Sequence, residues 1–180
     1  MQTARVAYLK LCNLHDRPRG GAAPETFGLR RACPRGMSKT TELLNQLQAD
    51  ATVFYQKARA FHWTVAGERF FQLHEQFEAI YTRWAGHIDD IAERTVIAGG
   101  TPLLSLASIA SRARIQDASG IPDARGMIEA VVSDLRRLLE VLSQGVEAAE
   151  SEGNRGAVNL LEGIREEEEK ALWMLSASLQ

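Results

Sequence analysis

Residues 62–100, HWTVAGERFFQLHEQFEAIYTRWAGHIDDIAERTVIAGG, restrict the possible folds of this chain more than any other stretch. Phe70, Leu73, Phe77, Ile80, Trp84, Ile88, Ile91 and Thr95 recur in steps of three and four. That period predicts an amphipathic helix from about Phe70 to Ile97. On a wheel of about 100° per residue with His74 at zero, Glu78 falls near 40°, Asp89 near 60° and Glu93 near 100°. One stripe therefore carries an imidazole and three carboxylates. Taken singly, such residues are more often solvated surface than metal ligands; together they form a donor set. Glu78 and Asp89 are about 16 Å apart along the axis at roughly 1.5 Å per residue. Iron and zinc bonds are roughly 2 Å long, so one chain cannot close both ends of the stripe on one ion.

The numbering offers a solution. Glu78 and Asp89 are centred on 83.5, and so are His74 and Glu93. If two copies of the helix crossed antiparallel on a two-fold axis between Arg83 and Trp84, His74 would face Glu93 of the partner subunit and Glu78 would face Asp89 of the partner subunit. The stripe residues nearest the axis, Thr82 and Ala85, are small enough for close approach. A two-fold interface is self-complementary and would build two identical sites. His62, on the preceding helix and twelve residues before His74, is free to join His74 and Glu78. Mixed imidazole and carboxylate donors suit Fe(II), Mn(II) or Zn(II) better than Cu(I).

The segments HWTVAG, LHEQFE, HIDDIAERTVIAGG and EEKALWML resemble the Dps miniferritins (DNA-binding protein from starved cells), a branch of the ferritin-like superfamily. The likeness covers about Met37 to Gln180. It implies an all-α, ferritin-like four-helix bundle with a short helix in the crossover between the second and third long helices. It also implies a ferroxidase whose ligands are His62, His74 and Glu78 from one subunit with Asp89 and Glu93 from its two-fold mate. Position 78 is often Asp in the family, and Glu is one methylene longer. The resemblance further implies iron, Fe(II) and Fe(III), as the metal handled, a dodecamer built from two-fold dimers, and a place for Trp63 against the iron as an electron donor. On its own sequence context Trp63 reads as a packing residue.

At 180 residues the chain is one domain of ordinary size. It has no run near the roughly 18 apolar residues of a membrane span and no evident secretory signal. Cys12 and Cys33 sit at no metal or redox spacing and read as free thiols in a reducing cytoplasm. The net charge of −2 hides an asymmetry. Residues 1–36 hold seven basic side chains (Arg5, Lys10, Arg17, Arg19, Arg30, Arg31 and Arg35) against Asp16 and Glu25, a net +5, which leaves −7 for the rest. This breaker-rich segment lacks a sustained period and reads as a disordered arm. Either its arginines, Arg17, Arg19, Arg30, Arg31 and Arg35, grip DNA phosphates without sequence preference, close to the nucleoid, or Met37 is the natural start and the arm is not native.

The remaining elements follow from period and punctuation. The first helix should begin near Ser38 or Thr40 and bury Leu43, Leu47, Ala51, Phe54, Ala58, Phe61 and Val65. Gly99 and Gly100 stop the second, and a short helix is expected at Leu103 to Ala110. Asp123 should cap a third long helix, and a fourth should run from about Ala157. Neither of these two helices holds a histidine, so the Glu-x-x-His pattern of an in-bundle di-iron site is absent. Glu166 to Glu169 read as a solvated face, which in a hollow cage could also nucleate ferric oxide. Where miniferritins commonly carry pore aspartates, this chain has Asn154 and Asn159, with Glu150 and Glu152 nearby, and no pore ligand is assigned. Two functions compete: iron oxidation and storage that protects DNA from peroxide, or a DNA-coating architectural protein whose metal binding is incidental.

Overall fold

The computed structural model describes residues 38–180. The chain divides into units at 1–33 and 34–180. The basic arm 1–36, its proposed DNA-contact arginines and both cysteines lie outside the described residues. Five helices and no strand occur among the described residues: α1 (Lys39–Thr64), α2 (Phe70–Ile97), α3 (Leu106–Arg112), α4 (Ala124–Ser151) and α5 (Arg155–Ala177). Helix α1 packs along α2 and against α4, α4 packs along α5, and α2 meets α5. The four long helices thus form a bundle, with α3 in the crossover lying against α1. No helix among the described residues is long and apolar enough to cross a membrane.

The helix ends follow local chemistry. Ser38 caps α1, its hydroxyl accepting from the Thr41 amide at 3.2 Å. Glu152, arriving from the α4–α5 turn, accepts from the Lys39 and Thr40 amides at 2.8 and 3.4 Å. That carboxylate is committed to the positive end of α1. Helix α2 ends in a Schellman turn: Gly99 takes φ +82, its amide donates to Val96 O, and the Gly100 amide donates to Thr95 O, both at 2.9 Å. Asp123 caps α4 by accepting from the Gly126 amide at 2.8 Å.

The expected apolar faces meet in one core. Phe54, Ala58 and Phe61 of α1 pack with Phe77, Ile80 and Trp84 of α2 and with Ile128, Leu135 and Leu138 of α4. Phe54 stands edge-on to Trp84 with ring centroids 5.5 Å apart. Phe70 and Ile88, expected inside, are only partly buried.

Three expectations need correction. The short helix starts at Leu106, not Leu103, because Thr101 and Leu103 give their backbone groups to α1. Gln48 donates its amide to Leu103 O at 3.1 Å and accepts from Leu103 N at 2.8 Å, while Asn45 donates to Thr101 O at 3.0 Å. The helix then begins behind a Ser105–Ser108 capping box. Second, α5 starts at Arg155 with Asn154 as its cap, and Gly156 sits inside its first turn. A Cβ at Gly156 would lie 2.5 Å from an Arg94 guanidinium nitrogen, so glycine there makes room rather than breaking the helix.

Third, the acidic run is not wholly a solvated face. Glu168 is fully buried. It accepts from Arg83 Nε at 2.5 Å and Arg83 Nη2 at 3.1 Å, and His87 Nε2 stands 3.5 Å away. Burial opposes its ionisation, but His87 and Arg83 outweigh burial and hold the carboxyl below the usual carboxylate range. The same pairing raises the Arg83 guanidinium despite its own desolvation. Removing one member of such a pair strands the other, at a cost of about 3–5 kcal/mol. A depressed carboxyl stabilises the fold fully above its unfolded value of about 4.3, and that contribution is lost as pH falls through the lower folded value. Glu168→Gln should therefore unfold earlier in urea at pH 7 and show a shallower loss of stability on acidification than the parent. Equal urea midpoints at neutral pH would show that the pair contributes nothing.

Candidate metal centre

The turn AGER, with Gly67 at φ +100, reverses the chain so that the end of α1 lies against the start of α2. This juxtaposes His62 and His74. Their rings stack with centroids 3.8 Å apart and planes 24° from parallel. His62 Nδ1 lies 2.9 Å from His74 O, and His74 Nδ1 lies 2.9 Å from His62 O. A carbonyl oxygen only accepts, so each Nδ1 carries the proton and donates. A neutral ring at either position is thereby held in the Nδ1–H tautomer, which leaves its Nε2 with a free lone pair. This is how ligating histidines are ordinarily oriented: one nitrogen bonds the protein so that the other can bond a metal.

The surroundings of the pair are aromatic. Phe70 stacks on His74 at 5.0 Å, and Tyr81 stands edge-on to His62 at 5.3 Å. Trp63 lies at the surface of the single chain. It is 59% exposed, and Arg59 lies over its ring at 5.0 Å. Among the described residues Tyr81, which the sequence reading did not single out, is the oxidisable aromatic in ring contact with a candidate ligand. Its signal was available: it lies one helical heptad after His74, near the same face.

Glu78, Asp89 and Glu93 are exposed on α2 and have no hydrogen-bond or ion-pair partner among the described residues. Asp134, by contrast, is committed: it is buried 2.6 Å from Lys57 Nζ, with burial pushing its carboxyl up against the pull of the lysine. Thr82 and Ala85, midway along the stripe, are also exposed. Gly86 beside them is exposed, and nothing lies within 4 Å of where its Cβ would be. A glycine in a helix interior costs about 1 kcal/mol relative to alanine, and no neighbour among the described residues requires it. Among the described residues of one chain, no three His, Cys, Asp or Glu side chains converge on a common point. The structure joins His62 to His74 and leaves Asp89 and Glu93 at the far end of α2, which lies on the same helix but more than two turns beyond Glu78.

The chain matches the ferritin-like domain family over residues 41–180. It is 42% identical over 138 residues to DNA protection during starvation protein 2 of Bacillus anthracis, a match that spans 77% of this chain and 94% of that one. This chain is a Dps-family miniferritin. The Dps protein of Vibrio cholerae O1, described as a member of a broad superfamily of ferritin-like diiron-carboxylate proteins, superposes with a TM-score of 0.77 at 34% identity, over 79% of this miniferritin and 89% of its own chain. A Dps of Listeria innocua in which two histidines twelve positions apart are replaced by glycine superposes with a TM-score of 0.76 at 27% identity, over 81% and 96% of the two chains.

The tautomers in this Dps protein are open to direct test. In protein selectively labelled with ¹⁵N-histidine, solid-state NMR of the metal-free form at pH 8 should show His62 and His74 protonated at Nδ1 and bare at Nε2. The reverse assignment for either ring would break the reciprocal pairing.

Proposed function

We propose that this miniferritin is a ferroxidase and iron store. Two copies of α2 cross antiparallel, and Fe(II) binds where His62, His74 and Glu78 of one subunit meet Asp89 and Glu93 of the partner subunit. The observation that carries this reading is the reciprocal His62–His74 hydrogen bonding, which frees both Nε2 atoms beside a stripe of unpartnered carboxylates. The twelve-residue spacing of the two histidines equals that of the pair altered in the Listeria relative. The unexplained Gly86 and the small Thr82 and Ala85 support a close helix crossing at mid-stripe.

In this reading iron is the substrate. Two Fe(II) ions give one electron each to a molecule of hydrogen peroxide, which with two protons becomes two waters, and two Fe(III) ions result. Imidazoles hold Fe(II) well, and the carboxylates favour the harder Fe(III), so the donor set helps the oxidation along. Peroxide and Fe(II) are consumed together without releasing hydroxyl radical. The ferric product is stored inside a dodecameric shell, which keeps both reactants from DNA. The solvent-facing Glu166, Glu167 and Glu169 are the surface on which mineral would start. Trp63 or Tyr81 supplies an electron when only one iron is bound.

A mixing experiment tests the shared site. His62→Ala/His74→Ala chains and Asp89→Asn/Glu93→Gln chains should each lose peroxide-driven oxidation of anaerobically loaded Fe(II). Co-assembled in equal amounts, they should recover about a quarter of the parent rate, because half of randomly paired dimers carry one intact site of two. No recovery, or activity in either variant alone, would remove the intersubunit assignment.

The naming of relatives for DNA protection supports a second role for the basic arm. Arg17, Arg19, Arg30, Arg31 and Arg35 would contact DNA phosphates non-specifically, with affinity falling steeply as salt rises. The full chain should retard duplex DNA in a gel at low salt, while a chain starting at Met37 should not. Equal behaviour of the two would take the arm out of consideration.

A further inference from the structure

The mirror relation along α2 runs beyond the metal donors. Phe71 and Val96 are also centred on 83.5, and on the wheel they fall near 60° and 40°, within the donor stripe. Both are apolar, yet Phe71 is 79% and Val96 57% exposed. They cannot cover one another within one chain, because they are about 37 Å apart along the helix axis. In the antiparallel crossing, Phe71 faces Val96 of the partner subunit, one turn outside the pairing of His74 with Glu93 of the partner subunit. Crossed helices separate away from their point of contact. Small residues at the centre, metal donors further out and a phenyl ring against a branched aliphatic side chain at the ends match that widening gap. Tyr81 mirrors Gly86, so in that crossing the glycine that nothing among the described residues requires stands opposite a bulky ring.

Phe71 is already joined to the site from its own side. Its ring stands edge-on to Phe70 at 5.2 Å, and Phe70 stacks on His74. Its outer face is the uncovered part, and the occupant that the register selects is a second copy of this chain.

We infer that Phe71 and Val96 of the partner subunit form an apolar plug that closes the outer end of each shared metal site. The inference rests on the antiparallel crossing proposed above. Two hydrocarbon side chains let small neutral molecules such as peroxide pass but resist hydrated ions and chelators. Phe71 and Val96 touch no reacting atom; they set how fast the contents of the site exchange with bulk water.

Cross-linking locates the contact. In a Cys12→Ser/Cys33→Ser background, Phe71→Cys/Val96→Cys and Thr82→Cys/Ala85→Cys chains are treated with a short bis-maleimide, alongside Phe71→Cys and Val96→Cys alone. Both double variants should give covalent dimers, and the single variants should not. Dimers from Thr82→Cys/Ala85→Cys but not from Phe71→Cys/Val96→Cys overturn the plug and leave the crossing standing; dimers from neither overturn both. Exchange is read with Co(II) bound to the full chain and withdrawn by EDTA. Phe71→Ala and Val96→Ala should each lose Co(II) several-fold faster than the parent. The double variant should be no faster than either single, because both remove the same contact. Phe71→Leu should stay as slow as the parent. Release unchanged in all variants overturns the plug, and a parent that binds no Co(II) overturns the metal site itself.

Discussion

The rise of an α-helix per residue governs the architecture of this chain. At about 1.5 Å per residue, donors eleven positions apart on α2 are several metal–ligand bond lengths from sharing an ion. In the proposed site, a helix that carries donors in mirrored positions about its midpoint completes its metal shell by meeting a second copy of itself. The rest of the protomer would serve that arrangement. The bundle core holds α2 in place by burying Leu73, Phe77, Ile80, Trp84 and Ile91 along one face. The turn at Gly67 brings His62 onto the near end. The Arg83–Glu168 pair fixes the middle of α2 to α5 from the side away from the stripe.

Much of this was legible in the sequence because helical period and capping chemistry are local. Ser38, Asp123 and Gly99 mark helix ends by short-range rules, and each does so in the structure. The buried faces of α1 and α4 follow the spacing of their leucines and valines. The candidate donors were legible for a similar reason, since their angles on one helix are arithmetic. What period does not report is which polar residue is recruited by a distant segment. Glu168 looks like its neighbours Glu166, Glu167 and Glu169, and only the approach of Arg83, 85 positions away, takes it out of water. The hydrogen bonds between His62 and His74 were hidden for the same reason: they depend on the backbone carbonyl of each residue facing the ring of the other.

The polar face of α1 is the clearest case of a tertiary demand overriding a composition rule. Asn45, Gln46, Gln48 and Asp50 are all buried, in a helix whose apolar stripe alone would have turned them to solvent. Each hydrogen-bonds to main-chain groups of the crossover. Asp50 accepts from the Arg114 and Ile115 amides at 2.6 and 3.1 Å and from Gln46 Nε2 at 2.8 Å. Gln46 also donates to Arg112 O at 3.2 Å. A long connection that leaves one long helix and rejoins the bundle at another has many backbone groups to satisfy, and here one helix face meets that need.

That arrangement has an evolutionary corollary. What α1 recognises in the crossover is peptide groups, which nearly every amino acid supplies alike; proline alone lacks the amide that Gln48 and Asp50 require at residues 103, 114 and 115. The outward side chains of the crossover, Leu104 and Leu106 among them, are thus left unconstrained by the protomer, whereas Ile115 is held in the core. Selection can remodel that outer face to suit a new neighbour while the loop keeps its path, provided the carboxamides and the carboxylate beneath it stay unchanged.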